Sequence, residues 1–435
     1  MSDIKDKLKG LLSNPNLMSG SQWQERVENL ARQRAEGTFE IDKTLEGDFV
    51  ENEAGRFYRV RNVFPLDTRQ GPVALGDVLE AASSHIALSA CDEELLDFDP
   101  AKTAFMDTET GGLVGGAGNV AFLIGVGYFT DEGFCLDQCF MRDYDEEEAM
   151  LAYLRDVFRP IDTVVSYNGK TFDLPLLRSR FIQNRIPFPL DAAMHFDLLH
   201  AARRFWRRRL QNCSLTNIER EVLGIARTGD VNSALIPQLW FEYLRSRDAR
   251  PLAPVFYHHK MDILSLVALT AWVSKCLERA EDAGFEHAED HLSLVRLHFR
   301  QKRFDETVIH AKRLLESETD EMIRHETLEV MALACKKLGQ FEEMEEAWQL
   351  LLQEFPRELL PRLELAKYYE HRKRDLTAAE RLCEETLAFL DTRLSLGRGI
   401  GMEGVQVEQF KRRLERIRRK AAKGRPAEEL DDSID

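Results

Sequence analysis

The hydrophobic pattern changes character three times along the chain, and each change marks a stretch with its own architecture. Residues 1 to about 45 are polar and charged, with modest helical spacing around Ile4, Leu8 and Leu11, and suit either a mobile arm or a partner-binding helix. From Gly55 the pattern turns β-like, through Phe57-Tyr58-Arg59-Val60 and Val63-Phe64-Pro65-Leu66, and leads into an apolar helix near Leu75 to Ala87. Strands are then predicted over 103–109, 120–129, 134–142 and 162–167. Helices are predicted over 145–158 and 171–184, with largely helical sequence afterwards. That order suits a mixed sheet with helices on its faces. Beyond Asp282 the chain becomes a weak repeat. Segments centred on 300–304, 337–341 and 371–375 each divide two amphipathic helices at a spacing of about 34 to 37 residues, and Ala334, Leu338, Gly339, Phe341, Ala347 and Pro356 carry the pattern best. Three units are about the minimum that buries a solenoid core, and such arrays commonly bind peptides or partner proteins; a plain helical bundle is the alternative.

Within this frame lie three acidic clusters. Asp107-Thr108-Glu109 ends the apolar run Thr103-Ala104-Phe105-Met106, and residues two apart on a strand point the same way, so Asp107 and Glu109 face one side together. Asp173 follows the β-branched run Thr163-Val164-Val165-Ser166-Tyr167 and the turn Asn168-Gly169, in the first turn of a helix that carries Leu174, Leu177 and Phe181. Taken alone, Asp173 is an ordinary helix-start acid. Asp262 opens the run Ile263-Leu264-Ser265-Leu266-Val267-Ala268-Leu269 with His258 four residues before it, on one helix face. Four carboxylates brought to one point repel one another unless divalent cations of the magnesium type neutralise them.

These clusters resemble the three motifs of the DEDD superfamily of 3′-5′ exonucleases, which have a ribonuclease-H-like fold. Asp107-Thr108-Glu109-Thr110-Gly111-Gly112-Leu113, Gly115-Gly116-Ala117-Gly118, the run Ala121 to Gly127, Asp197-Leu198-Leu199-His200, Ala202-Arg203-Arg204 and Cys213-Ser214-Leu215 are similar to the YprB-like branch. The resemblance covers roughly residues 50 to 275. It implies a mixed five-stranded sheet flanked by helices, two Mg²⁺ or Mn²⁺ ions, and a hydrolase acting on phosphodiester bonds of single-stranded DNA or RNA. Asp107, Glu109, Asp173 and Asp262 would be the metal ligands, one cation activating the attacking water and the other stabilising the leaving 3′ oxygen. The family's last motif usually has His four residues, or Tyr three residues, clear of the Asp; here His258 is three clear and Tyr257 four. His258 is favoured as general base because it shares the face of Asp262 and imidazole titrates near neutrality; His259 and Tyr257 are the lesser candidates. Asn168 and Lys170 would touch phosphate or a terminal hydroxyl, unless they are ordinary turn residues. A scaffold acting through its repeats after loss of turnover, and a structure-specific endonuclease using the same metals, are the alternative functions.

Composition narrows the setting. The 435 residues suit two or three domains, with 44% apolar residues for cores. The expected division is a polar arm over 1–50, a nuclease domain with its lead-in over 51–278, tetratricopeptide-like repeats over 283–392, and a basic helix with an acidic tail over 393–435. No apolar run is long enough to span a membrane and no signal-peptide pattern is present, so the expected location is cytoplasmic. Seven cysteines without paired spacing argue against a disulfide framework or a zinc site. A net charge of −16 argues against broad duplex binding. Arg203, Arg204, Arg207, Arg208 and Arg209 nevertheless crowd Phe205 and Trp206, as in a single-strand groove, with a helix face over buried rings as the bland alternative.

Overall fold

The structure, a computed structural model, describes residues 39–112, 119–282, 285–317, 320–395 and 403–424. The amino-terminal arm up to residue 38, the glycine-rich segment at 115–118 and the acidic tail lie outside the described residues. Chain contacts divide the protein into two compact units, Met1–Glu281 and Asp282–Asp435.

The first unit is built on a sheet of β1 (Asp48–Asn52), β2 (Gly55–Phe64), β5 (Thr103–Thr110), β6 (Ala121–Thr130), β7 (Gly133–Phe140), β8 (Thr163–Ser166) and β9 (Met194–Asp197). Two short strands, β3 (Arg69–Gln70) and β4 (Val73–Ala74), pair separately. The main order is β1-β2-β7-β6-β5-β8-β9. Pairing is antiparallel from β1 to β5 and parallel from β5 through β8 to β9. The sheet therefore has seven strands rather than the expected five. The central run β7-β6-β5-β8-β9 is a five-stranded mixed sheet, and the β1-β2 hairpin extends it along β7, whose edge would otherwise be unpaired. Thr103 to Met106 are buried throughout, as are β7 and β8, because helices cover both faces.

Those helices are α1 (Ser83–Ala90), α2 (Glu147–Phe158), α3 (Asp173–Gln183), α4 (Leu198–Trp206), α5 (Leu215–Glu221), α6 (Ile236–Ser246) and the 30-residue α7 (Ala253–Asp282). The lead-in helix expected at 75–87 is instead a 3₁₀ turn over Leu75–Glu80 followed by α1. On α6, Trp240 stacks on Phe122 of β6 with ring centroids 4.9 Å apart. α7 comes much closer to the sheet. A Cβ on Gly125 would lie 2.1 Å from Ile263 Cδ1 and 2.4 Å from His259 Cε1, so the helix seats directly on the backbone of β6. That seat carries His258 and Asp262 to the end of β5.

The second unit is entirely helical among its described residues: α8 (Ala288–Arg300), α9 (Phe304–Ser317), α10 (Glu321–Leu338), α11 (Phe341–Glu354), α12 (Leu360–Tyr368), α13 (Leu376–Ser395) and α14 (Glu403–Gly424). Successive helices pack on one another around a core that includes Leu292, Leu328, Trp348, Leu365 and Phe410. The breaks fall where the repeat pattern put them. Lys302, Gly339 and Arg374 all hold left-handed backbone, with φ of 58°, 77° and 58°, so each pair turns through the same local device.

Candidate metal centre

Asp107 and Glu109 stand at the end of β5, where a shift in register between Glu109 and Thr110 ends regular pairing with β6. Asp107 is fixed through its backbone, since its carbonyl lies 3.1 Å from Nε2 of the buried His259, whose Nδ1 sits 3.0 Å from the Gln138 amide. Burial pushes the Asp107 carboxyl well above its ordinary range, and Asp262, Asp173 and Glu109 push it further. Glu109 is raised to about 8 by burial and then by Asp262, Asp173 and Asp230. The four carboxylates feel one another.

Asp173 opens α3 and is buried. Burial raises its carboxyl to about 6, although the Thr108 hydroxyl donates to it at 2.5 Å and offsets part of the rise. The turn that delivers it is tightly specified. Asn168 has φ of 68°, and a Cβ on Gly169 would lie 2.3 Å from Ser166 Oγ. The Asp197 carboxylate accepts from the backbone N–H groups of Asn168 at 2.8 Å and Lys170 at 3.1 Å, and also caps α4 through Leu199. Asp197, noticed in sequence only as part of the resemblance, therefore ties β9 to the turn that carries Asp173.

The third cluster sits on α7. His258 Nε2 is 3.4 Å from Asp262 Oδ2 and 4.0 Å from Glu109 Oε1, and ligand atoms from Glu109, His258 and Asp262 all lie within 4.8 Å of one another. On its other side, His258 Nδ1 is 2.7 Å from Asp230 Oδ1. Arg227 Nη1 also lies 3.2 Å from that Nδ1, while Nε2 faces the acids and stands 3.3 Å from Ser233 Oγ. Sequence reading missed Asp230, and with it Arg227 and Glu219. Arg227 donates to Asp262 Oδ1 and bridges to Glu219 at 2.5 and 2.8 Å. These three residues come from α5 and the connection to α6, and no local spacing signals them.

The remaining predicted residues divide clearly. His259 is fully buried and lowered to about 4 by that burial, which keeps it neutral between Asp107 and Gln138. Tyr257 lies under the Lys260 ammonium, 6.0 Å from its ring centre. Asn168 and Lys170 hold the turn through their backbone N–H groups, and the Lys170 residue is exposed. Arg203 is exposed, whereas Arg204 donates to the Ser89 carbonyl at 2.8 Å and ties α4 to α1. Phe205 and Trp206 are buried in the unit, so neither ring stacks on a strand. An exposed ring does flank the acids elsewhere. Phe172, 63% exposed, joins Asp107, Thr110, Asn119, Asp173 and Ser179 around a cavity of about 530 Å³.

A crowd of hard oxygen donors, raised by burial and mutual repulsion, fits cations of the magnesium class and suits no soft metal. A family model for the RNase_H superfamily matches residues 104–274, the span from β5 into α7. The "Uncharacterized protein YprB" of Bacillus subtilis (strain 168) is 33% identical over 291 residues, covering 65% of this chain and 68% of the relative. The chain belongs to the ribonuclease H superfamily, alongside YprB. Membership supports a nuclease fold and nucleic-acid binding. No described helix is long and apolar enough to cross a membrane.

Proposed function

We propose that the chain is a metal-dependent nuclease, and within that class a 3′-5′ exonuclease acting on single-stranded DNA or RNA. The observation that carries this reading is the convergence of Asp107, Glu109, Asp173 and Asp262 from one strand and two helices, with the first three acids held above their ordinary range. Asp107, Glu109, Asp173 and Asp262 would hold two Mg²⁺ or Mn²⁺ ions. Bound there, such ions supply a polarised water and offset charge on the phosphate and leaving oxygen.

The chain's own groups do the rest. His258, oriented by Asp230, presents Nε2 to the cluster and takes the proton of the attacking water there. The cavity beside Asp107 and Asp173 receives the terminal nucleotide, its base against the Phe172 ring, a contact open only to an unpaired base. Stacking of this kind works with every base and carries no sequence preference. The helical unit supplies a surface for a partner protein, in the manner of repeat arrays.

The test is cleavage of end-labelled single-stranded DNA and RNA, with free or blocked 3′ ends, in magnesium or manganese. Laddering from a free 3′ end that is lost in Asp107→Ala and Asp173→Ala supports the reading. Internal products would replace the exonuclease with an endonuclease. Silence under every condition, or full activity in either variant, would overturn it.

A further inference from the structure

We propose that Arg227 is a resident counter-ion of the carboxylate centre, which shares Asp262 with an incoming divalent cation and so weakens the centre's hold on metal. The inference rests on the metal-centre reading above and concerns what that reading leaves unexplained, a buried guanidinium among the acids. Among the described residues, Arg227 is the one Arg or Lys in ion-pair contact with any of Asp107, Glu109, Asp173 and Asp262. It is no stray surface charge. Its side chain is 5% exposed, against 14% for Asp262 and 1% for Glu219.

Its position is held from behind. Glu219 takes Nε and Nη2 in a two-pronged pair at 2.8 and 2.5 Å; Nη2 also donates to Asp262 Oδ1, and Nη1 lies 3.2 Å from His258 Nδ1 and 3.4 Å from both the His258 carbonyl and Asp230 Oδ2. Burial alone would lower a guanidinium, yet Asp262 and Glu219 hold this one above its ordinary value, so it stays charged. Its charge in turn pulls Asp107 downward, against the three acids that raise it. Arg227 thus does in the metal-free protein, with one unit of charge, part of what divalent cations would do with more.

Two consequences oppose each other. The guanidinium lowers the repulsion that the metal-free fold carries, and it repels a cation brought to the same carboxylates, because like charges a few ångströms apart in a partly buried site interact strongly. Glu219 anchors it, so it cannot swing clear. A competing role, in which Arg227 merely orients Asp262 so that Oδ2 faces His258 and Glu109, makes the opposite prediction, since removing such a support loosens metal binding.

The experiment is Mn²⁺ titration of the full-length protein, followed by free Mn²⁺, on four proteins. These are the wild type, Arg227→Lys, the double variant Arg227→Met/Glu219→Gln, and Asp107→Ala as the control for the centre. The double variant removes the buried pair together and so leaves no orphaned charge at Glu219. Circular dichroism and a cooperative melt establish that each is folded. The expected result is Mn²⁺ binding on the order of tenfold tighter or more in the double variant, with Arg227→Lys close to wild type because it keeps the charge. Equal or weaker binding in the folded double variant would overturn the counter-ion role, as would a tightening in Arg227→Lys equal to that in the double variant. Wild type binding no more Mn²⁺ than Asp107→Ala would instead overturn the metal-centre reading, and the counter-ion role with it.

Discussion

Gly125→Ala tests the link between the sheet and the chemistry with a single methyl group. The new Cβ would stand 2.1 Å from Ile263 Cδ1 and 2.4 Å from His259 Cε1. The isoleucine methyl can rotate away. The imidazole cannot, because Nδ1 is held by Gln138 at 3.0 Å and Nε2 by the Asp107 carbonyl at 3.1 Å. Restoring ordinary carbon contact of about 3.5 Å therefore moves that ring, and the stretch of α7 that carries it, by roughly 1.1 Å. Overpacking of this kind costs about 1–3 kcal/mol of stability. His258 and Asp262 move with the helix, and a misplacement of about 1 Å costs about 100-fold in rate. The assays are denaturant unfolding midpoints and metal-dependent cleavage of an end-labelled strand. Gly125→Ala/Ile263→Val should recover part of the stability and little of the cleavage, since it relieves the isoleucine overlap and leaves the histidine one. A Gly125→Ala protein with wild-type midpoint and turnover would refute the claim that this seat positions the site.

Three further outcomes follow from the same geometry. The acids raised in the fold are protonated at pH values where the unfolded chain has ionised them. Their contribution to stability is therefore complete below about pH 4 and is lost as pH climbs through about 6 for Asp173 and about 8 for Glu109. Metal-free protein should lose on the order of 5–8 kcal/mol across that window by denaturant titration, at about 1.36 kcal/mol per unit of rise, and millimolar Mg²⁺ or Mn²⁺ should flatten the slope. In the helical unit the sign reverses: burial lowers His291 to about 4 and His298 to about 3, so stability is present above about pH 6.5 and falls on acidification. His298→Phe should flatten that acid limb in a pH series of thermal melts. Lys302 and Arg374 hold the left-handed turn that Gly339 holds without a side chain, so Lys302→Gly or Arg374→Gly should raise stability by about 0.5–1 kcal/mol in the unfolding midpoint.

The local parts of the site were legible in sequence because each has a short-range signature. Asp107 and Glu109 were placed by strand alternation. The four-residue spacing that put His258 on the face of Asp262 matches the 3.4 Å approach of their side chains. The repeat period located three of the turns of the helical unit, at Lys302, Gly339 and Arg374. What escaped was non-local. Arg227, Asp230 and Glu219 meet α7 across a fold that no window of sequence spans, and Asp197 acts through backbone N–H groups that pattern never shows. β9, only Met194-His195-Phe196-Asp197, is too short for alternation to declare itself. The arginine-rich stretch misled toward a binding groove because composition does not say which way a ring faces, and Phe205 and Trp206 face inward.

The seating of α7 on β6 also orders events in time. Asp107 and Asp262 are separated by 155 residues (262 − 107), and no local structure brings them together. At synthesis rates of about 5–20 residues per second, the nascent chain carries Asp107 for roughly 10–30 s before Asp262 has been made. Contacts of such long range close late in folding. The acids of the first unit are thus complete only once α7 has been made and has docked on β6, and any capacity to cut nucleic acid begins then.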